Sequence, residues 1–125
     1  MPDPLSAILA TDDPYAAARA FVAAGWTLEF ETPPDSDDRL AAVSLDGAQL
    51  MLGIAEEKFL AAASRDYRGA GVVFHIPVDD IQSVYERHRD AGVAVDQPVA
   101  RPWGEIAFHG DIAGYRFMVT AADGR

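Results

Sequence analysis

Histidine, acidic, arginine and aromatic side chains are the groups that could do chemistry in this chain, because the sequence has no cysteine. That composition excludes a disulfide framework, a thiolate metal site and a cysteine nucleophile. In the second half, His75 offers a weak base and Trp103 a ring that stacks on planar molecules. Glu105 and His109 are four residues apart, about 13 Å along a strand and too far for a direct acid–base pair. These residues favour separate contacts to one ligand, and whether strand pairing brings His75 toward His109 stays open.

Length and charge exclude several classes of protein. A chain of 125 residues fits a single domain. Its twenty acidic and ten basic residues give a net charge of −10, which disfavours nucleic acids and anionic membranes as partners. No apolar run approaches the roughly 20 residues needed to cross a bilayer, and the amino terminus has no basic region ahead of its apolar stretch. We therefore predict a cytoplasmic protein with no nucleic-acid or membrane partner.

The signals that begin and end a helix occur twice in this chain at a fixed spacing. In TDDPYAAARAFVAAGW, Asp13 precedes a proline at the first helical position, apolar residues follow at helical spacing, and Gly25 closes the element. In VDDIQSVYERHRDAGV, Asp80 and Gly92 occupy the equivalent places. The chain therefore contains an internal repeat of two copies. The matching pairs, each 67 residues apart, are Asp12 and Asp79, Asp13 and Asp80, Gly25 and Gly92, Gly47 and Gly114, and Met51 and Met118.

Each copy has one strand-like segment before its helix and three after it, which predicts two βαβββ modules, at about residues 1–55 and about residues 69–125. Between them, at about residues 56–68, Phe59, Leu60 and Ala63 stand at helical spacing and predict a connecting helix. The predicted strands are 5–10, 27–31, 40–45 and 49–54 in the first module and 72–78, 93–97, 105–109 and 115–120 in the second.

Alternation within the strands assigns side chains to the two faces of the sheet. In residues 72–78 the even positions are all apolar and should pack beneath the helix, so His75 points to the opposite, helix-free face. The helix-free face mixes apolar and polar side chains, which is typical of a ligand cavity. Its predicted members are Ser6, Ile8, Leu40, Ala42, Gln49 and Met51 in the first module and Val73, His75, Pro77, Glu105, Ala107, His109, Arg116, Met118 and Thr120 in the second.

A paired βαβββ chain that ends in PWGEIAFHGDIAGYRF resembles the vicinal oxygen chelate superfamily. That superfamily includes glyoxalase I, extradiol dioxygenases, and the bleomycin and fosfomycin resistance proteins. The tail is most similar to the bleomycin-resistance branch, in which Pro-Trp-Gly precedes the seventh strand and Asp-Pro-x-Gly-Asn the eighth. Residues 102–104 match the first motif in full, whereas only Asp111 and Gly114 keep the second. The resemblance implies an α+β fold in which two tandem modules form a curved mixed sheet around a cavity.

The same resemblance implies where a metal ion would bind. In the metalloenzymes of the superfamily, His, Gln or Glu ligands come from the first, fourth, fifth and eighth strands. The corresponding positions are Ser6, Met51, Val73 and Met118, none of which ligates a divalent cation through nitrogen or carboxylate. We therefore predict no metal, no other cofactor and no catalytic residue, and we transfer no glyoxalase, epimerase or dioxygenase activity.

What remains is a shaped cavity without an ion, as in resistance proteins that sequester a drug unaltered. We predict a protein of the antibiotic-resistance or natural-product-resistance type that binds an aromatic small molecule. The negative net charge of the protein is also compatible with a cationic ligand. The resemblance implies that Trp103 stacks on the planar part of the ligand; the alternative is a ring that only closes the edge of the sheet. The predicted ligand contacts are Trp103, His75, Glu105, His109, Met51, Met118, Arg116, Gln49 and Leu40.

Other interpretations of these residues stay open. His75 could be only packed or solvated, His88 is expected to be structural, and the acidic loop at residues 35–38 is either solvated or steers a cationic ligand. One rival function is a lyase, isomerase or dioxygenase-like enzyme, with displaced metal ligands or with His75 or Glu105 as a cofactor-independent base. A third class, an acidic protein-interaction module, leaves the mixed face unexplained. Because related proteins often build each cavity from one module of each subunit, we predict a homodimer.

Overall fold

The computed structural model describes residues 5–54 and 62–123, and within them one strand precedes and three strands follow each of two helices. This α+β order is the one that the repeat predicted. The elements are β1 (Ala7–Thr11), α1 (Pro14–Ala23), β2 (Thr27–Glu31), β3 (Leu40–Leu45), β4 (Ala48–Ile54), a short 3₁₀ helix (Ala62–Tyr67), β5 (Val73–Pro77), α2 (Ile81–Asp90), β6 (Val99–Ala100), β7 (Glu105–Ile112) and β8 (Tyr115–Ala122).

The ends of both helices follow from the residues that the sequence places there. The Asp13 carboxylate accepts the free backbone N–H groups at the start of α1, and the Asp80 carboxylate accepts the N–H of Ser83 at 3.1 Å in α2. After each helix a glycine has the left-handed backbone conformation that disfavours side chains, with φ of +102° at Gly25 and +77° at Gly92. Neither helix is long and apolar enough to cross a membrane within the described residues.

The strands form two mixed four-stranded sheets with the same topology. Their orders are β1-β4-β3-β2 and β5-β8-β7-β6, and in each sheet the first pair is parallel while the other pairs are antiparallel. The register repeats with the sequence offset, because Ile8 pairs with Met51 and His75 pairs with Met118. The two sheets therefore present equivalent helix-free faces.

One hydrophobic core joins the helix-facing sides of both sheets. Phe21 of α1 is fully buried and lies 5.6 Å, between ring centroids, from Phe117 of β8. Trp26 lies 5.4 Å from the same ring of the second module. Because both helix-facing sides contribute to this core, the helix-free face of each sheet lies on the side away from the core.

His88 belongs to this core, as its place on the apolar face of α2 indicated. It is fully buried, its Nε2 accepts a hydrogen bond from Trp26 Nε1 at 3.2 Å, and its Nδ1 lies 2.8 Å from the carbonyl oxygen of Val84. Since Nε2 accepts from the indole, Nδ1 must carry the proton and donate to the carbonyl. Burial lowers the pKa of His88 below its ordinary value, because the charged imidazolium would lose its solvation.

The sixth strand differs from the prediction, which placed it at residues 93–97. Only Val99–Ala100 form a regular strand there, and an isolated bridge joins Ala94 to Gly110. The physical reason is that the Asp96 carboxylate, rather than a strand carbonyl, accepts the backbone N–H of His109 at 2.6 Å. The polar side chain interrupts the ladder, and regular pairing with β7 resumes at Val99, three residues later.

The connection between the modules was predicted as a helix at about residues 56–68. Its described part is the short 3₁₀ helix Ala62–Tyr67, while Phe59 and Leu60 lie outside the described residues. Gly69 then passes so close to the backbone of Gly114 that a Cβ atom would collide with that carbonyl oxygen. A glycine is therefore required where the chain enters the second module.

Candidate ligand-binding site

The helix-free face of the second module is built on three adjacent strands, with β8 between β5 and β7. Met118 of β8 pairs with His75 on one side and with His109 on the other. The two histidines are therefore separated by two strand spacings, roughly 10 Å. Strand pairing does not bring them together, and each has its own polar partners.

The first polar group on this face runs from Trp103 to a buried threonine. The exposed indole, 60% accessible, donates from Nε1 to one Glu105 oxygen at 2.7 Å. The other Glu105 oxygen lies 3.8 Å from His75 Nε2, and that nitrogen is 2.9 Å from the hydroxyl of Thr120. Four side chains from three strands and one turn thus form a continuous polar row, in which Glu105 fixes the orientation of the indole.

The second polar group pairs His109 with an aspartate that the sequence analysis did not select. Asp96 accepts the backbone N–H of His109 at 2.6 Å with one oxygen and lies 2.8 Å from His109 Nδ1 with the other. Burial alone would raise the pKa of Asp96, but the two hydrogen bonds from His109, with the positive charges of His109 and Arg101, lower it overall. The carboxylate is therefore held in its charged form.

The third polar group is an ion pair between Arg116 and Asp111, which the guanidinium contacts through two nitrogens. The hydrogen bond from Arg116 lowers the pKa of Asp111, and the same bond raises the pKa of Arg116. A surface groove of about 400 Å³ begins beside this pair and reaches the glycines at the start of β5. Arg116, predicted as a polar lining residue, is largely neutralised by its partner.

The helix-free face of the first module is more apolar. Met51 lies between Ile8 of β1 and Ala42 of β3, and Leu40 pairs with Gly53. The predicted contact Gln49 is exposed at the far end of this face, opposite Ser44. A groove of about 470 Å³ occupies the other end, where two acids of the loop form part of its rim. Its lining is Ile8, Thr32, Asp37, Asp38, Arg39, Leu40, Gly53 and Ile54.

The predicted contacts thus fall into two groups on the two outward faces. Trp103, His75, Glu105, His109, Met118 and Arg116 share the face of the second module, and Leu40, Gln49 and Met51 share that of the first. Alternation was sufficient to find the members on strands, whereas Trp103, in the turn before β7, was selected through the resemblance. Alternation could not predict the contacts of Asp96 and Thr120, because these contacts depend on the register between strands. The sequence did contain one signal for Asp96, namely an acidic residue in the segment predicted to pair with β7.

The residues at the positions where the superfamily binds metal do not fit a metal ion. Met51 belongs to the first face and Val73 and Met118 to the second, while Ser6 lies just before β1. They offer one hydroxyl, two thioethers and an alkyl group, and no imidazole or carboxylate. Within the described residues, no three histidine, aspartate or glutamate side chains are grouped so that they could hold a metal ion.

Solved structures similar to this chain carry the same fold. A glyoxalase/bleomycin resistance protein/dioxygenase from Nocardioides is 22% identical with a TM-score of 0.70, covering 100% of this chain and 87% of that one. TnmS3, an antibiotic binding protein from Streptomyces sp. CB03234, is 21% identical with a TM-score of 0.69, covering 98% of this chain and 97% of that one. The bleomycin resistance determinant encoded on transposon Tn5 is 12% identical with a TM-score of 0.72, covering 98% of this chain and 99% of that one.

The chain therefore has the fold of the glyoxalase/bleomycin resistance protein/dioxygenase superfamily, which confirms the fold that the resemblance implied. No family model matches the sequence, and no curated protein matches it. The likeness lies in the arrangement of the strands and helices, so the function has to be argued from the side chains on the two faces.

Proposed function

We propose that this protein is a metal-free binding protein that sequesters a planar aromatic small molecule without altering it. The observation that carries the proposal is the Trp103 indole, which is 60% exposed and yet held by a 2.7 Å hydrogen bond to Glu105 beside an open, mixed face. An exposed ring fixed in one orientation stacks on a planar ligand with little loss of rotational freedom. The similar structures include one named as an antibiotic binding protein and one named as a bleomycin resistance determinant.

The charge distribution supports a cationic group on the ligand. The chain has a net charge of −10, and Asp37 and Asp38 line the groove on the first face. Opposite charges near a site attract and orient a ligand before contact. The nearby Arg39 does not cancel this effect fully, because it lies 3.8 Å from the Asp13 carboxylate and over the ring of Tyr15.

We also propose that the binding site is completed by a second copy of the chain. Each chain has two outward faces with exposed apolar side chains, such as Ile8 at 63% and Val73 at 55% accessibility. In a two-fold dimer the first face of one copy covers the second face of the other, and the reverse contact follows by symmetry. This pairing would put Leu40, Gln49 and Met51 opposite the row that contains Trp103, in two equivalent cavities.

The experiment that tests ligand stacking measures tryptophan fluorescence and affinity together. Binding of a planar aromatic ligand should quench the exposed indole, and Trp103→Ala should weaken affinity by about 1 to 3 kcal/mol because the stacked area is lost. Trp103→Phe keeps a ring and serves as the optical control. Replacing Trp26 would be a poor control, since its N–H is the donor to buried His88. Equal affinity of wild type and Trp103→Ala for a ligand would contradict the stacking model.

Glu105 offers a matched pair of substitutions for the orientation of the indole. Glu105→Gln keeps an oxygen that accepts from Trp103 Nε1, whereas Glu105→Ala leaves the ring unfixed. We expect Glu105→Ala to weaken binding about three- to tenfold and Glu105→Gln much less, because ordering a free side chain costs about 0.5 to 1.5 kcal/mol. Calorimetry on both variants measures the difference, and equal losses would show that the charge matters rather than the orientation.

A cofactor-independent enzyme is the second candidate, and the contact between Glu105 and His75 favours it. His75 Nε2 lies 3.8 Å from Glu105 and 2.9 Å from Thr120, which is an arrangement that could hold a base on the face. The two functions differ in what happens to the bound compound. Mass spectrometry of a compound recovered from the protein separates them, and elemental analysis of the purified protein tests the metal-dependent alternative.

A further inference from the structure

The contact between Asp96 and His109 determines which ring nitrogen of His109 carries the proton. One Asp96 oxygen is occupied by the backbone N–H of His109, and the other lies 2.8 Å from Nδ1. An ionised carboxylate can only accept hydrogen bonds, so Nδ1 must be the donor. In the neutral imidazole the lone pair then resides on Nε2.

The Nε2 atom has no competing partner in the described part of the chain. Within the described residues, the side-chain hydrogen bond and ion pair of His109 both go to Asp96. The nearest acid on the same strand face, Asp111, is engaged by Arg116. The His109 side chain is a quarter exposed and stands beside Met118 on the helix-free face. The face therefore presents a ring nitrogen whose orientation is fixed by a second side chain.

We propose that His109 Nε2 is the acceptor for an O–H or N–H donor on the ligand, and that Asp96 is the positioning residue that sets its tautomer. This inference rests on the proposed function, because it concerns the ligand of the same face. Glu105, which fixes Trp103, and His109 are four residues apart on β7, or about 13 Å. The ligand class is therefore an elongated planar aromatic compound with a hydroxyl or N–H group at the end away from Trp103.

Replacing Asp96 with asparagine should reverse the tautomer rather than merely weaken the contact. The backbone N–H of His109 still requires an oxygen, so the amide oxygen of Asp96→Asn stays there and its NH₂ group faces Nδ1. A donor opposite Nδ1 forces the proton to Nε2, which turns the ligand-facing atom from an acceptor into a donor. Asp90→Asn is the matched control, because it removes the same charge at the end of α2, where Asp90 pairs with Arg89 outside the helix-free face.

Nitrogen NMR of ¹⁵N-labelled protein above neutral pH tests the tautomer without any ligand. We expect His109 to be protonated at Nδ1 in the wild type and in Asp90→Asn, and at Nε2 in Asp96→Asn. His88 provides an internal reference, since its contacts also require a proton on Nδ1. A His109 signal with the proton on Nε2 in the wild type would overturn the inference, whatever the protein binds.

A matched pair of tricyclic compounds, 2-hydroxyacridine and 2-methoxyacridine, tests the recognition of a donor by calorimetry. The wild type and Asp90→Asn should prefer the hydroxyl compound about tenfold, the value expected for one hydrogen bond to a fixed partner. Asp96→Asn and His109→Phe should lose the preference while still binding both. Equal binding of both compounds by the wild type would contradict the inference and leave the proposed function standing, whereas binding of neither would contradict the proposed function as well.

Discussion

At the scale of single residues, the sequence was sufficient to identify side chains on the faces but not their partners. His75, Glu105 and His109 could be assigned to the helix-free face because side chains alternate along a strand. Their contacts to Thr120 and Asp96 could not, because these join residues 45 and 13 positions apart. Such pairs are fixed by strand register and by a side chain that replaces a backbone acceptor, and neither leaves a local pattern.

His88 gives a pH-dependent stability at this scale. Burial lowers its pKa in the folded protein below the value of 6.5 expected for the unfolded chain. Below that pH the unfolded chain binds a proton that the folded chain does not. The contribution of His88 to the free energy of unfolding is therefore fully present above about pH 6.5 and is lost as the pH decreases toward the folded pKa. Urea unfolding at about pH 7.5 and about pH 5.5 measures this loss.

The control for that measurement is His88→Gln, which removes the titrating group and keeps a polar side chain at the site. We expect this variant to be less stable by about 2 kcal/mol at neutral pH, because the Trp26 N–H and the packing against Phe108 are poorly replaced. Its stability should fall less than that of the wild type between the two pH values. An equal decrease in both proteins would show that other groups cause it.

At the scale of elements, capping and alternation predicted the helices and seven of the strands to within a few residues. The predicted position of the sixth strand was wrong, because the apolar residues 93–95 indicated a strand that begins there and pairs continuously with β7. The segment does bond to β7 through the Val95 N–H and the His109 carbonyl, but Asp96 then accepts with its side chain and ends the ladder. Local competition between a carboxylate and a backbone carbonyl decided the outcome.

The helix cap of α2 provides a prediction for this scale. Asp80→Ala removes the acceptor for the Ser83 N–H and should lower the free energy of unfolding by about 1 kcal/mol. Asp79→Ala removes the same charge one residue earlier, where the carboxylate does not cap the helix, and should change it by less than about 0.5 kcal/mol. Thermal unfolding of the two variants compares them directly; equal losses would assign the effect to charge instead of capping.

At the scale of the whole molecule, the repeat predicted two equivalent sheets but not how they are arranged. The offset of 67 residues appears again in the strand pairing, because β1 and β4 have the same register as β5 and β8. The repeat in the sequence does not specify, however, that both sheets share one core on their helix-facing sides. That packing depends on large rings such as Phe21, Trp26 and Phe117, which meet across the modules. It leaves the helix-free face of each sheet on the side away from this core, and we propose a second copy of the chain as its cover.

The oligomeric state follows from this arrangement as a prediction. Light scattering at micromolar concentration should give twice the 13.4 kDa mass of one chain. Ile8→Glu places a charge on the first face, where the side chain is 63% exposed, and should favour the monomer. Val22→Glu introduces the same charge on the exposed side of α1 and should leave the dimer intact. A wild type that remains monomeric would contradict the dimer and require each face to bind alone.

The central claim is that the protein holds a planar aromatic compound unaltered and without a metal ion. The most direct measurement is calorimetric titration of protein previously treated with a chelator, using an aromatic compound selected by native mass spectrometry, followed by mass analysis of the compound after release. We predict one binding site per chain, an affinity equal to that of untreated protein, and a recovered compound of unchanged mass. A compound recovered with a changed mass, or binding that is lost with the chelator and restored by a divalent metal, would contradict the account.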